Sequence, residues 1–577
     1  MPMNQLKQRI DAAAGNEKAD LLITNAWVAD VFNHEIVKMD LAIKDGEFIS
    51  STKREAKEIL DAEGMYLIPS FIDSHVHIES SMVTPAEFAK VVLPHGVTTV
   101  IADPHEIANV AGAEGIRFML EQSEKLLLDV RMMLPSCVPA AAFEESGAVL
   151  RAEDLEPFAD HPNVLGLAEV MDYPALLKGD GDMLRKISMA NSRLMPIDGH
   201  LAGLSPEMID VYRSAGIRTD HEVTTAEEAL NRVRRGMYVQ IRQGSVAQNL
   251  PAVVEAVSSR NARRFILCTD DKHLDELKEE GSIDHLVRLC IKSGIEPLTA
   301  IQMASLNAAE CYGLKKKGAI APGFEADFIL TDDLEALPIR RVFRKGAEAA
   351  TGGRMISRST LEPIQAEKSL SDSVHIGSFP ENRLVLSVPA DQEVPVIQLI
   401  PNELVTKKRM EKTNACNGEF VPCTKRDHLK LAAVERHRAS GKAGIGIVKG
   451  FKFTSGAIAC TIAHDSHHIM AVGTHDAAIH AAIIRLQELK GGMAVAGETG
   501  RILAELPLSI GGLMSDRPYE EVIENMEKVH HSLKEIGYQE PFNPFVMLSF
   551  LALPVIPEIK LTVNGLFDVN AFTYLSF

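Results

Sequence analysis

The sequence predicts an α/β protein: a (β/α)8 TIM-like barrel, a small flanking β-sandwich domain assembled from both sides of the barrel segment, and a C-terminal α/β domain. Three observations carry that prediction. Eight short apolar runs recur between residues 69 and 271 at intervals of about 20 to 35 residues, the length of a strand plus its crossover helix. Two β-rich segments, far apart in the chain, flank that region. Beyond about residue 365 the pattern changes, and about 200 further residues mix strand-like runs with an amphipathic helix.

In chain order, residues 1–68 hold the first β-rich flank, with runs LLITNAWVAD (21–30), EIVKMDLAIKDGEFIS (35–50) and GMYLIP (64–69). Residues 69–315 form the barrel segment. Its predicted strands are 69–77, 97–103, 129–136, 164–170, 193–200, 217–222, 237–242 and 264–271, with helical patterns such as AGAEGIRFMLEQSEKLL and TAEEALNRVRRG between them. Residues 316–365 hold the second β-rich flank, KKGAIAPGFEADFILTD and RVFRKGAEAA, expected to pair with the first. Residues 366–577 form the C-terminal domain, with strands in GIGIVKGF, GAIACTIA and HIMAVGT. The helix DAAIHAAIIRLQELKGG is expected to end at its glycine pair. An open doubly wound sheet is the rival for the middle region. It usually carries a glycine-rich phosphate turn, and neither a GxxxxGK[ST] run nor a GxGxxG follows a strand there.

Bulk properties exclude several classes. A chain of 577 residues is too long for one core. A net charge of -19 argues against general nucleic-acid binding, because phosphate backbones require Lys and Arg. The seven cysteines are scattered and form no CxxC pair, which points to reduced thiols in a cytoplasmic protein. The start of the chain lacks a secretory apolar core. The apolar run FVMLSFLALPVIP spans 13 residues, too few to cross a bilayer, and contains prolines; it reads as buried core.

The chemistry begins in SFIDSHVHIESS, where His75 and His77 lie one residue apart at the end of the first predicted strand. Side chains alternate along a strand, so both imidazoles face the same way and form a fork. Alone, an HxH is a weak signal. Glu169, His200, His221 and Asp270 each fall where a later barrel strand meets its loop, at the end of the barrel that carries active sites. Singly, each has a bland reading as a loop residue or a helix cap. Together, four imidazoles and two carboxylates suit two divalent ions such as Zn²⁺, Mn²⁺ or Fe²⁺. His77-Ile78-Glu79 supplies an H-x-E like that of cytidine-type zinc deaminases, but no P-C-x-x-C follows, so Glu79 is read as structuring the first loop. The segment AHDSHHI (463–469) is read as a solvated turn, against the alternative that it reaches the barrel mouth or binds an accessory metal.

These residues resemble the amidohydrolase superfamily, with HxH on the first strand and further ligands on the fourth, fifth, sixth and eighth. Over nearly the whole chain the longer motifs resemble the bacterial adenine deaminase family: PSFIDSHVHIESSMVTPAEFA, PHGVTTVIADPHEIANVAG, LAEVMDY, DGHLAGL, TDHE, CTDDKH and, near the C-terminus, LPLSIGGLMSD and LSFLALPVIPEIKLT. In much of the superfamily a carboxylated lysine bridges the metals; here Glu169 stands in that place. The resemblance implies that a metal-activated hydroxide attacks the amidine-like C6 of adenine, giving hypoxanthine and ammonia, with Asp270, Glu169 and His221 as the catalytic set. His105, Glu106 and Glu222 are candidates for the purine pocket or an extra metal, against a bland reading as hydrogen-bonded loop residues. Two divalent ions per subunit are expected, Mn²⁺ or Fe²⁺ ahead of Zn²⁺. The expected partners are adenine and water, with no nucleic acid and no membrane, in a homodimer. Two rivals are another amidohydrolase acting on a cyclic amide and a non-catalytic barrel scaffold.

Overall fold

A computed structural model describes residues 2–356, 367–389 and 391–577. The expected boundary between residues 365 and 366 lies outside the described residues. All eight predicted strands of the middle segment are present and buried: β1 (Phe71–Val76), β2 (Val97–Ala102), β3 (Asp129–Leu134), β4 (Val164–Val170), β5 (Ile197–Gly199), β6 (Thr219–Asp220), β7 (Tyr238–Arg242) and β8 (Phe265–Cys268). They form two curled parallel sheets, β5-β4-β3-β2-β1 and β6-β7-β8. The sheets meet at both edges. Arg218 N donates to Ile197 O at 3.0 Å at one seam, and Asp270 N donates to His75 O at 3.0 Å at the other. The arrangement is TIM-like, and Val, Ile, Leu, Phe and Met side chains of its strands and surrounding helices pack into the largest core cluster.

Most strands are shorter than the apolar runs that predict them. The runs include polar residues at their C-terminal ends, and His77, Asp103, His200, His221 and Asp270 lie just past the hydrogen-bonded strands. The helix after β2 runs from His105 to Ser123 with a break at Gly112 (φ 59°), whose backbone lies close to Ala148.

The two β-rich flanks pair as expected. Tyr66–Pro69 runs antiparallel to Phe328–Thr331, joining strands about 260 residues apart in sequence. Hydrogen bonding continues through one nine-stranded sheet, where the sequence predicts a sandwich. That sheet wraps around its own small core, in which Phe328 stacks on Phe343 with ring centroids 4.4 Å apart. A helix over Met3–Ala14, which the sequence reading did not predict, precedes it.

The C-terminal region is built on an eight-stranded, mostly antiparallel sheet that includes Leu429–Val434, Ala443–Lys449, Ala457–Cys460, Ile469–Gly473 and Gly492–Ala496. The predicted helix is Asp476–Leu489, and it buries Ala478, Ile479, Ala482, Ile483 and Leu486 against that sheet. Its cap is Lys490 in the left-handed conformation, not the glycine pair. Gly491 and Gly492 answer a different need: a Cβ would lie 2.3 Å from Gly512 Cα in the first case and 1.9 Å from Leu506 O in the second. Among the described residues, no helix is long and apolar enough to cross a membrane.

A buried ion cluster ties the barrel to the flanking sheet. Asp129 Oδ2, at the start of β3, lies 3.0 Å from Lys317 Nζ and 3.4 Å from Arg344 Nη2, and both cations also meet Asp327. Burial opposes the charge on Asp129, but Lys317, Arg131 and Arg344 outweigh it and hold the carboxyl down at about 2. A carboxyl depressed in the folded state stabilises the fold above its unfolded value of 3.8, and that contribution is lost as pH falls toward 2. The shift corresponds to about 2 kcal/mol. Asp129→Asn should therefore lower unfolding stability by about 2 kcal/mol at pH 7 in urea titrations, and the deficit should shrink between pH 4 and pH 2. A deficit that stays constant across that range would contradict the ion-cluster account.

Candidate metal centre and active site

The six predicted ligands converge at the C-terminal end of the strands, and all are buried or nearly so. Glu169, the penultimate residue of β4, lies at the centre. Its Oε1 is 3.5 Å from His77 Nε2 and 4.0 Å from His75 Nε2. Its Oε2 is 2.8 Å from His200 Nδ1 and 3.2 Å from His221 Nε2. One carboxylate thus spans two histidine pairs, an oxygen to each. Asp270 closes the first pair, with Oδ1 3.2 Å from His75 Nε2 and 3.1 Å from His77 Nε2.

Local backbone structure explains how these side chains meet. Asp270 adopts a left-handed conformation (φ 58°), which Asp tolerates better than most residues. Its N–H donates to His75 O, and its carbonyl accepts from His77 N at 3.2 Å, so the turn after β8 is stitched to the HxH strand. His77 Nδ1 donates to Asp103 O at 3.1 Å, which fixes the tautomer and turns the Nε2 lone pair into the site. Asp73, buried on β1, accepts from Thr269 N at 3.1 Å and from the Thr269 hydroxyl, bracing the residue before Asp270. Burial pushes the Asp73 carboxyl up to about 7.

The electrostatics favour cation binding. Burial opposes charge on Glu169 and Asp270, but both are held well below the ordinary carboxylate range. His221 and His200 do this for Glu169, and Arg242, His75 and His77 for Asp270. Burial, then the neighbouring His221, lowers His75 below its ordinary value, leaving a neutral ring. His75 Nε2, which faces Asp270 and Glu169, is buried without a hydrogen-bond partner among the described residues. Burial opposes charge on His77, His200 and His221, but the neighbouring carboxylates outweigh it and raise them, so a cation there would take the place of their protons. Charged carboxylates and imidazole nitrogens with spare capacity are the donor set a divalent cation requires. Several overlapping groups of three or four ligand atoms occur here: His75, His77 and Asp270; His75, Glu169 and His221; His77, Asp103, His105 and Glu169; and His200, His221 and Glu222.

Of the further candidates, His105 and Glu222 also line this site, and Glu106 lies against His464 of its lining. His105 Nδ1 lies 3.0 Å from Asp103 Oδ2 and 3.5 Å from Glu169 Oε1. Glu222 Oε1 is 3.5 Å from His221 Nε2 and also meets Arg242. Glu106 accepts from Ser80 Oγ at 2.9 Å. Glu79 accepts from Ile107 N at 3.2 Å, the structural part expected of it in the first loop.

The segment 463–469 departs from its solvated-turn reading. His464, Asp465, Ser466, His467 and His468 are all buried. His464 Nδ1 lies 3.4 Å from Glu106 Oε1, and His464 and Asp465 line the same cavity as His77, Glu169, His200, His221 and Asp270. Burial follows from what holds the loop: Arg436 bonds His467 O, and His468 Nε2 donates to the carbonyl of Glu145. Glu106, His464 and His467 each bring a potential ligand atom within 4.8 Å of the others. The C-terminal region also contributes Leu404, Phe550, Leu553 and Ile556 to the cavity wall. Lys560, fully buried, donates to Leu404 O at 2.7 Å and Phe550 O at 3.0 Å, tying two pieces of that wall together.

Sequence reasoning missed Arg242, which ends β7 and meets both Glu222 and Asp270 (Nη1–Oδ2 2.8 Å). Its signal was available, since a charged residue closes an apolar run as the ligands do. It also missed the wall from the C-terminal region, for which local pattern carries no signal.

A parallel, curled βα architecture with imidazoles and carboxylates gathered at its strand ends defines a metal-dependent hydrolase. Accordingly, residues 66–351 match the amidohydrolase family, and residues 403–573 match the adenine deaminase C-terminal domain. Adenine deaminase of Geobacillus kaustophilus (strain HTA426) is 54% identical over 570 residues, covering 99% of this chain and 98% of that protein. Adenine deaminase of Bacillus pumilus (strain SAFR-032) is 52% identical, covering 100% and 99%, and that of Bacillus subtilis (strain 168) is 50% identical, covering 100% of both. The chain belongs to the adenine deaminase family.

Removing Arg242 leaves Glu222 and Asp270 without their shared guanidinium in a buried setting. Arg242→Gln should cost about 3 to 5 kcal/mol in chelator-treated protein, read as a lowered Tm. An unchanged Tm would mean that the neighbouring histidines carry the compensation.

Proposed function

We propose that the chain catalyses the hydrolytic deamination of adenine to hypoxanthine and ammonia. The observation that carries this reading is the Glu169 carboxylate reaching two histidine pairs, with Asp270 against the first, in a chain about half identical to adenine deaminases along its whole length. His75, His77, Glu169 and Asp270 would hold one divalent ion, and Glu169, His200 and His221 a second, with Mn²⁺ or Fe²⁺ ahead of Zn²⁺. When bound, such cations supply the Lewis acidity that makes water a nucleophile near neutral pH.

The protein's own groups do the rest. Asp270, with Oδ2 held by Arg242, keeps Oδ1 toward the HxH pair, where it accepts a proton from the attacking water. Water oxygen adds to C6 of adenine as the C6–N1 π bond opens onto N1, the exocyclic nitrogen collects the proton from Asp270, and the C6–N bond breaks to release ammonia. The remaining proton of the water passes from oxygen to N1, leaving the C6 carbonyl of hypoxanthine. Glu169 and His221 hold the charge distribution at the reacting carbon. His105, Glu106 and Glu222 belong to the purine pocket in this reading. The chain divides at 1–68, 69–315, 316–365 and 366–577, with residues 69–315 as a closed (β/α)8 barrel, and it works in the cytoplasm as a homodimer on a small-molecule substrate and water.

Ammonia release from a panel of purines and pyrimidines tests the reading. Chelated protein should be inactive and recover with about two equivalents of Mn²⁺ or Fe²⁺ per subunit. Asp270→Asn should retain metal by elemental analysis yet lose about 10³-fold or more in kcat. Parental turnover of adenine by that variant would remove Asp270 from the proton transfer.

A further inference from the structure

Among the buried groups without a part in the proposed reaction, one carboxylate faces the cavity. Asp465, on the loop that the C-terminal region inserts at the cavity, is 3% exposed. Its Oδ2 has no hydrogen-bond partner among the described residues, and its Oδ1 lies 3.7 Å from His105 Nε2. A buried carboxylate oxygen left without a donor is costly, so a partner supplied from outside the chain is favoured strongly. His77, Glu169, His200, His221 and Asp270, five of the six predicted metal ligands, line the same cavity, so a ligand in that cavity can supply it.

Its position relative to the reacting end is set by one ring. His105 presents Nδ1 to Glu169 (3.5 Å) and Nε2 to Asp465 (3.7 Å), so Asp465 stands about one imidazole beyond the centre of the site. The wall on the C-terminal side is otherwise largely apolar, formed by Leu404, Phe550, Leu553 and Ile556. A flat heteroaromatic base placed with its reacting carbon beside Glu169 and Asp270 would have its second ring to set against that wall. A free purine base carries one N–H on its five-membered ring, a donor that has no use for an apolar wall and needs an acceptor. In a nucleoside that nitrogen bears a sugar carbon and donates nothing.

Resting on the deaminase reading above, we infer that Asp465 accepts the five-membered-ring N–H of the substrate, making the C-terminal domain the element that selects a free base over an N-substituted one. A hydrogen bond to a charged acceptor in a closed site, lost or replaced by a methyl group, changes binding by about 10- to 100-fold.

The test uses the metal-loaded full chain with adenine, 9-methyladenine and 7-methyladenine, each of the last two lacking the ring N–H. Wild-type protein should show kcat/KM at least about 30-fold lower on both methylated bases. Asp465→Ala, which removes the acceptor and opens space, should raise KM for adenine by about 10- to 100-fold with a smaller change in kcat. It should also bring the three bases within about 3-fold of one another. Equilibrium binding of hypoxanthine, which keeps the ring N–H, should weaken by the same factor as the rise in KM. Should the Ala variant not fold, Asp465→Asn, whose neutral amide oxygen still accepts, should give an intermediate loss. An Asp465 variant that keeps the wild-type preference for adenine overturns the inference, as does wild-type protein that treats methylated and unmethylated bases alike. Absence of ammonia release from adenine by the wild-type protein would instead strike the deaminase reading itself.

Discussion

The Glu169 carboxylate is the constraint around which the rest is arranged. A carboxylate at 3% exposure is expensive to charge unless opposing groups surround it. Here four histidines, from the ends of β1, β5 and β6, supply that surrounding. A parallel barrel solves the placement problem, because each strand delivers its last residues to the same rim and each loop can be tuned without disturbing the strands below. The interactions beyond the ligands serve this geometry. Asp103 O orients His77, Asp73 braces Thr269, and Arg242 shares its charge between Asp270 and Glu222. Removal of one of these shifts the others, since buried polar networks are coupled through the low local dielectric.

Much of this was legible in the sequence, for a physical reason. In a parallel sheet buried on both faces, strands are largely apolar runs, so a His, Glu or Asp at the end of such a run stands out. His75, His77, Glu169, His200, His221 and Asp270 could be picked out that way, in register, before any geometry was known. Arg242 obeys the same rule, but arginine is not a metal ligand, so a pattern of ligand residue types does not single it out. The small β domain was legible as paired flanks. Its single continuous sheet was not, because alternation identifies strands without identifying their neighbours. The cap of the helix over Asp476–Leu489 was misplaced for a related reason. Two glycines after a helix usually mean a left-handed terminus, whereas here Gly512 and Leu506 press against them.

The least legible feature was the burial of residues 463–469. Read locally, histidines and an aspartate between two strands belong in water. What buries them is distant in sequence: the carbonyl of Glu145 from the barrel segment, the Arg436 guanidinium, and Phe550, which stacks on His464 with centroids 4.3 Å apart. A fully buried lysine, Lys560, ties the chain at Leu404 to that at Phe550 through their carbonyls. Burial lowers the ammonium of Lys560 to about 7, and among the described residues its hydrogen-bond partners are carbonyls, with no carboxylate. Such a group is retained at a cost to stability, which is understandable if the position of the wall matters more than the energy lost in holding it.

That cost bears on why a barrel already equipped with ligands carries a second region of about 200 residues. In the proposed reaction the strand ends supply charge, imidazole and a proton carrier, all directed at the reacting carbon. None of them distinguishes a small amidine from a larger molecule containing one. Shape and the far edge of the substrate must be read from the opposite side, and the open end of a barrel has no strands there. A separate domain laid over the mouth provides an apolar wall and an acceptor in one step, without altering residues that the metal geometry already constrains. Selectivity can then change through residues such as Asp465 or Phe550 while Glu169 and its histidines stay fixed. Separating the two tasks between two units of structure follows from the limited number of side chains that a single strand rim can present.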